Sequence, residues 1–456
     1  MKRKRISLLI LSACLLWAWA GMAQNSDIRG TNEMLGKYSV VREWKNGFSV
    51  AFALDNEGTG YFVLDDPATN SLTTAKLPAT MIVTDFRVHN DSVFFCGHTP
   101  NRGSGVGVGC VGVFDIQRLF AGLGGITLGT LPAVPDYYGL KITRPERMDV
   151  YENGRTHIVL VGEAEASDAS GIRPRTTVCD AYLNGMSWNV GFYLNKAEDR
   201  IYTDIAANNQ YVVAVGTDTA GLHSFAEAFF VSTNILTTPL SSGTLFYVNG
   251  ETPISNVLVD DVMGERFVMA YQCKVGGGCG STVKFFDIAS ALSTLSMAHS
   301  AFAIHGPDST VSARWRVADL LCNPASEYVM LLQDTRIGAM PSVESVISSY
   351  RLGTLSPITH PYYYASSNYW NNIDNSYDPY YHLVGMDGLG NLSLYRDKLN
   401  HTGSCAREAE LQFYEGAASF APVGFNWDLS IRTAFAYQYR PAIGHEPITT
   451  SCTHRE

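Results

Sequence analysis

The chain has 456 residues, of which 33 are Lys or Arg and 43 are Asp or Glu, so its formal net charge at pH 7 is −10. No run of basic residues occurs after residue 5. The clustered positive charge that binds nucleic acid or anionic membrane surfaces is therefore missing. We expect no nucleic-acid partner.

The N-terminus predicts export. Four basic residues at positions 2–5 precede an apolar run at 6–20, and the small-residue site Gly21-Met22-Ala23 stands before Gln24. This is the layout of a cleavable signal peptide over residues 1–23. The run is shorter than the roughly 20 apolar residues that span a bilayer, and no later stretch is suitable. We therefore expect an exported chain with no transmembrane segment, in the periplasm or at the cell surface of a diderm bacterium.

Residues 24–36 are expected to form a flexible N-terminal segment, and residues 37–456 a single all-β domain. In that domain a short pattern returns, with an Asp between apolar residues, a polar turn and a run of β-branched and aromatic residues. Ile201-Tyr202-Thr203-Asp204-Ile205 followed by 211–216 is a clear copy. The seven repeated aspartates are Asp85, Asp149, Asp204, Asp261, Asp319, Asp374 and Asp428. They stand 54 to 64 residues apart, and a fixed period of this size indicates a repeat architecture.

Each interval has room for four short strands separated by Gly, Asn, Asp and Ser turns, which is the pattern of a propeller blade. The chain thus resembles β-propeller repeat proteins in general, without the periodic signature of a named family. The resemblance implies a single β-propeller with seven four-stranded blades, and six or eight blades are the alternatives. N- and C-terminal strands would close the ring and cover its exposed edges.

The repeated aspartates allow two interpretations. If each carboxylate points inward from an innermost strand, the set would line the channel and could hold a cation. Alternatively, each Asp accepts hydrogen bonds from a neighbouring turn or strand end, as Asx side chains commonly do. The second interpretation is favoured, and no cofactor is predicted.

The stretch 360–382 is unusually rich in Tyr and Asn. Aromatic faces beside amides suit sugar rings, and the same residues serve adaptable protein-binding loops. The candidate ligand-binding residues are Tyr363, Tyr364, Tyr369, Trp370, Asn371, Asn372 and Tyr380. The alternative, which is favoured, is that several of the tyrosines pack between adjacent blades and the rest cover a turn.

Eight cysteines follow the signal peptide, an even number that favours disulfides in an exported chain. Cys96 with Cys110, and Cys273 with Cys279, could bridge hairpins. The spacing does not suit zinc, so no metal site is predicted. Acylation at Cys14, as in a lipoprotein signal, is disfavoured because an apolar N-terminus would follow it.

No catalytic group is evident. Gly107 to Gly112 matches GxGxxG but leads into a strand instead of a helix, so it is interpreted as a hairpin. No Gly-x-Ser-x-Gly motif occurs. Triplets such as Asp91-Ser92-Val93 resemble O-glycan acceptor sites in exported proteins of Bacteroidota.

The function favoured by the sequence is a monomeric, non-enzymatic propeller that binds or scaffolds a glycan or protein of the cell envelope. The alternative is a polysaccharide hydrolase or lyase that uses channel-facing aspartates.

Overall fold

The structure is a computed structural model. It describes residues 24–45, 47–69, 71–78, 81–99, 107–133, 141–168, 171–195, 200–231, 240–249, 251–275, 278–288, 295–304, 315–323, 328–335, 345–352, 362–364, 369–374, 380–386, 389, 391–398, 407–408, 412–415, 419–423 and 427–455. The predicted signal peptide, Cys14 included, lies outside these residues.

Antiparallel strands make up most of the described chain, which confirms the all-β prediction. The helix α1 (Ile116–Phe120) has five residues and is capped by Asp115, whose carboxylate accepts a hydrogen bond from the Arg118 backbone N–H. None of the described helices is long and apolar enough to cross a membrane.

Successive strands pair as antiparallel meanders, and the described strands fall into seven groups that we call units 1 to 7. Unit 1 contains β1 (Gln24–Lys45), β2 (Phe48–Asp55), β3 (Gly60–Asp65) and β4 (Ser71–Lys76). Unit 2 contains β5 (Ile82–His89), β6 (Ser92–Thr99), β7 (Val108–Asp115) and β8 (Ile126–Thr130). Unit 3 contains β9 (Lys141–Glu152), β10 (Thr156–Asp168), β11 (Gly171–Asn184) and β12 (Ser187–Asn195).

The remaining units follow the same order. Unit 4 contains β13 (Arg200–Ala207), β14 (Tyr211–Asp218), β15 (Ser224–Val231) and β16 (Leu240–Asn249). Unit 5 contains β17 (Thr252–Pro253), β18 (Leu258–Met263), β19 (Arg266–Val275), β20 (Gly278–Ile288) and β21 (Leu295–Ile304). Unit 6 contains β22 (Trp315–Asn323), β23 (Tyr328–Thr335), β24 (Ser345–Arg351) and β25 (Tyr362–Tyr364). Unit 7 contains β26 (Tyr369–Asp374), β27 (Tyr380–Met386) and β28 (Asn391–Lys398), completed by the first half of β1.

The units are arranged in a cycle. One strand of each unit contacts the equivalent strand of the next, in the order β1, β5, β9, β13, β18, β22, β26 and back to β1. We call these the inner strands. A buried apolar cluster lies between every two consecutive units. Each sheet therefore buries both faces, and the core is divided among the contacts between units.

The C-terminal strands follow the outside of the cycle, and we call them the C-terminal belt. They are β29 (Arg407–Glu408), β30 (Gln412–Glu415), β31 (Ser419–Val423), β32 (Trp427–Tyr439), β33 (Ile443–Pro447) and β34 (Thr449–Arg455). They pair in turn with β25, β21, β16, then both β12 and β8, then β4 and finally β1. The belt thus passes the units in reverse order and covers their outer edges.

The belt corrects two expectations. Asp428 does not begin a seventh inner strand, because it lies in β32 and pairs with Leu194 of unit 3; the inner strand that completes the cycle is β1. The segment 24–36, expected to be flexible, instead forms the first half of β1, where its backbone pairs with β28 and β34.

The proposed disulfides are also corrected. Cys96, Cys110 and Cys273 are buried free thiols, so neither the Cys96–Cys110 nor the Cys273–Cys279 bridge is present. Cys110 lies opposite Gly97 in the β6–β7 ladder, one position from Cys96. Because neighbouring strand residues point to opposite faces, Cys96 packs between units 2 and 3 and Cys110 between units 1 and 2.

Candidate functional site

The repeated aspartates connect the inner strands to one another. In six units an inner-strand carboxylate accepts a hydrogen bond from a backbone N–H of the next unit. The pairs are Asp85 with Met148 at 3.0 Å, Asp149 with Ala207 at 2.7 Å, Asp204 with Val259 at 2.9 Å, Asp260 with Cys322 at 2.8 Å, Asp319 with Ile373 at 2.9 Å and Asp374 with Glu43 at 2.6 Å. The hydrogen-bonding interpretation is therefore confirmed for five of the seven predicted aspartates, namely Asp85, Asp149, Asp204, Asp319 and Asp374.

Two positions differ from the predicted set. In unit 5 the link is made by Asp260, while its neighbour Asp261 has a left-handed backbone with φ 46°. In unit 1 the inner strand carries Arg42 instead of an aspartate. Its Nη2 donates to Asp85 at 2.8 Å and its Nη1 donates to Asn372 of unit 7 at 2.8 Å. At each of the seven contacts between consecutive described units, a side chain of one unit is therefore bonded to the next unit.

Two further arginines cross the centre of the cycle. Arg87 of unit 2 lies 3.1 Å from Asp149 of unit 3 and 3.5 Å from Asp260 of unit 5. Arg147 of unit 3 lies 3.9 Å from Asp319 of unit 6. Since units 2 and 5, like units 3 and 6, are not neighbours, these guanidinium groups connect opposite sides. Together with the aspartates and Arg42 they form what we call the central cluster.

Carboxylates outnumber guanidinium groups in the central cluster, and their pKa values reflect this. Burial raises the pKa of Asp204 to about 7, that of Asp260 to about 8 and that of Asp261 to about 6. Burial also raises the pKa of Asp149 and Asp374. For Asp85, burial is outweighed by Arg42, Arg87 and Arg147, which lower the pKa of that carboxyl.

No group of three or more His, Cys, Asp or Glu side chains within the described residues is arranged to hold a metal ion. The aspartate oxygens of the central cluster are directed instead at backbone N–H groups and arginines. A cation in the channel stays a prediction.

The aromatic stretch supplies core residues. Trp370 is fully buried and packs against Tyr395 with ring centroids 5.7 Å apart. Asn372 is also buried and receives hydrogen bonds from the Val41 backbone and Arg42. These two positions agree with the packing alternative. The side chains of Tyr363, Tyr364, Tyr369, Asn371 and Tyr380 lie outside the described part of the structure, so ligand binding by this stretch stays a prediction.

Sequence reasoning missed three buried clusters in which a tyrosine hydroxyl donates to a carboxylate that also has a basic partner. They are Tyr151 with Asp180 and His157, Tyr202 with Glu227 and Arg200, and Tyr271 with Glu251 and Lys284. Their members are nearly inaccessible to solvent, which assigns them to the core. No common spacing relates the three, so no sequence signal was available.

An open groove of about 400 Å³, which we call the rim groove, lies beside α1, β8 and the belt strand β32. Its lining includes Asp115, Arg118, Leu123, Thr127, Gln438 and Arg440. The two arginines are exposed, and neither has a carboxylate partner among the residues the structure describes. The rim groove therefore presents polar and cationic groups to solvent, in contrast to the central cluster.

No protein-family model matches the chain, and no curated protein matches it. Among solved structures, a variant of the apocarotenoid oxygenase of Synechocystis aligns with a TM-score of 0.29 and 11% identity over 88% of this chain and 93% of that chain. Two other variants of that protein align with TM-scores of 0.28 and 0.26, also at 11% identity, over 87% and 88% of this chain and 93% of theirs. Alignments at these TM-scores support no conclusion about function.

Proposed function

We propose that the chain is an exported, non-enzymatic seven-bladed β-propeller that binds a glycan or a protein of the cell envelope. The cyclic contacts of the inner strands and the apolar cluster between each two consecutive units support the seven-bladed architecture. The signal-peptide pattern at residues 1–23 supports export.

The binding proposal rests on what the inner-strand carboxylates contact. A hydrolase of the two-carboxylate type needs an acid and a second carboxylate that reach the substrate. Asp85, Asp149, Asp204 and their counterparts instead accept backbone N–H groups of the neighbouring units. Binding at the outer surface, where the rim groove is open, needs none of these carboxylates.

The experiment separates binding from turnover. The mature chain is incubated with a panel of envelope polysaccharides and solubilised envelope proteins, and both retention and new reducing or unsaturated sugar ends are measured. Retention without product is expected. Product formation that is lost in Asp204→Asn or Asp260→Asn, with the fold intact by circular dichroism, would overturn the proposal in favour of a hydrolase or lyase.

Both substitutions keep an oxygen that can accept the N–H of the next unit, so they test carboxylate chemistry without removing the structural link. N-terminal sequencing of the secreted chain tests export separately. We expect the sequence to begin at Gln24.

A further inference from the structure

We propose that the rim groove is a binding site for an acidic polysaccharide, in which Arg118 and Arg440 receive uronate carboxylates. This inference rests on the proposed function and names its ligand class and its residues. The chain has a net charge of −10, so its overall field repels anions, and an anionic ligand requires local cations.

The rim groove supplies those cations. Arg118 and Arg440 are both exposed and free of carboxylate partners within the described chain. The carboxylate that also lines the groove, Asp115, already accepts a hydrogen bond from the Arg118 backbone at 2.7 Å. A guanidinium presents paired N–H donors that match a carboxylate. The two arginines are therefore suited to carboxylates spaced along a polymer.

The other lining groups suit a sugar. Gln438 and Thr127, which are hydrogen-bonded to each other at 2.5 Å, offer further donors and acceptors to hydroxyl groups. Leu123 is 76% exposed and provides an apolar surface for the C–H face of a ring. The groove thus combines charge, hydroxyl-binding groups and apolar surface.

An acidic peptide fits less well. Extended peptides commonly dock by adding a strand to a free sheet edge. Beside the groove, β8 is paired on one side with β7 and on the other with β32, so it offers no free edge. A polysaccharide needs no backbone ladder and can use the side-chain groups directly.

The groove is also rigid, which lowers the entropic cost of binding. The N–H groups of Leu123 and Gly124 donate to the Arg118 carbonyl at 2.9 and 2.8 Å, and Gly122 adopts φ +72° to allow this turn. Gly125 passes so close to β32 that a Cβ there would lie 2.9 Å from the Tyr439 carbonyl oxygen. The belt therefore holds the loop in place.

The test uses the mature chain with three probes: tetragalacturonate, its methyl ester and poly-glutamate. The ester retains the sugar and removes the charge. Binding is measured by calorimetry for wild type, Arg118→Gln, Arg440→Gln and the double variant. Arg351→Gln serves as the control, because Arg351 is exposed at the end of β24 and does not line the groove.

We expect wild type and Arg351→Gln to bind tetragalacturonate equally, and the ester at least tenfold more weakly. Each groove substitution should weaken binding about tenfold and the double variant more, and the affinity should fall as salt is added. Undiminished binding by the double variant would overturn the site while leaving the proposed function intact. If wild type binds poly-glutamate but neither galacturonate probe, the ligand is an acidic protein and the polysaccharide proposal is overturned. Failure of wild type to bind any probe would overturn this inference, and the envelope panel would then decide the proposed function independently.

Discussion

The centre of the cycle and its rim use the same kinds of charged residue for opposite purposes. In the central cluster, Arg42 and Asp85 are nearly inaccessible and joined at 2.8 Å, and six of the carboxylates also accept a hydrogen bond from a backbone N–H of the next unit. At the rim, Arg118 and Arg440 are exposed and unpaired within the described chain. The comparison shows that partners, not residue type, decide whether a charge stabilises the fold or is available to a ligand.

The largest expected effect comes from breaking the central cluster. Arg42→Met should lower the free energy of unfolding by about 3–5 kcal/mol, because it leaves Asp85 buried without its nearest cation. Urea denaturation followed by tryptophan fluorescence measures the change. Lys45→Met is the matched control, since its ion pair with Asp91 at 3.0 Å is 34% and 51% exposed and should therefore contribute much less to stability.

The double variant Arg42→Met/Asp85→Asn sharpens the interpretation. Asn at position 85 can still accept the Met148 N–H but carries no charge, so it should recover part of the lost stability. If Arg42→Met costs no more than Lys45→Met, the central arginine does not compensate buried charge and the comparison between centre and rim fails.

The belt provides a second, smaller contrast between buried and exposed positions. Ala436 is fully buried between units 2 and 3, whereas Phe435, the preceding residue of β32, is 73% exposed. Ala436→Asp should cost about 2–4 kcal/mol, because it places an unpaired carboxylate in an apolar contact. Phe435→Asp should cost less than about 1 kcal/mol. Thermal unfolding of both variants gives the comparison, and equal losses would show that β32 does not pack as described.

The sequence predicted the class of fold because its information is local. Alternation of β-branched and aromatic residues between turn residues marks strands one by one, and the repeated Asp marks β5, β9, β13, β22 and β26. The belt was not predictable in this way. Apart from β32 its strands have only two to seven residues, and from β30 onward each pairs with a strand more than 100 residues away. Trp427-Asp428 therefore matched the inner-strand pattern while folding at the outside.

The candidate sites also depend on contacts between distant parts of the chain, which local sequence patterns do not show. The aspartates were found by their period, but their orientation depends on neighbouring units, and in β1 the side chain that links the units is Arg42 instead of an aspartate. Of the two interpretations of the stretch around Trp370, packing holds for the tryptophan itself, which is buried against Tyr395; the sequence alone could not choose between them. The rim groove joins residues 115–127 to residues 438–440, and no local pattern connects segments more than 300 positions apart.

The remaining prediction concerns the pH dependence of the central cluster. The pKa values of Asp204, Asp260 and Asp261 are raised to about 7, 8 and 6, against about 3.9 in an unfolded chain. The folded state therefore binds more protons than the unfolded state between these values, and these groups contribute stability that is lost as the pH rises through 6 to 8. Asp85, whose pKa is lowered, acts in the opposite sense only at more acidic pH. The urea midpoint should accordingly fall from pH 5 to pH 8.

Asp204→Asn/Asp260→Asn isolates this contribution, because the amides do not titrate while Arg87, Arg147 and the remaining aspartates are retained. The slope of the urea midpoint against pH should flatten in that variant, and its stability at pH 8 should approach the wild-type value at pH 5. An unchanged slope would place the titration elsewhere, for example at the histidines. The rim groove contains none of the carboxylates of the central cluster, so ligand affinity should stay nearly constant while the urea midpoint falls.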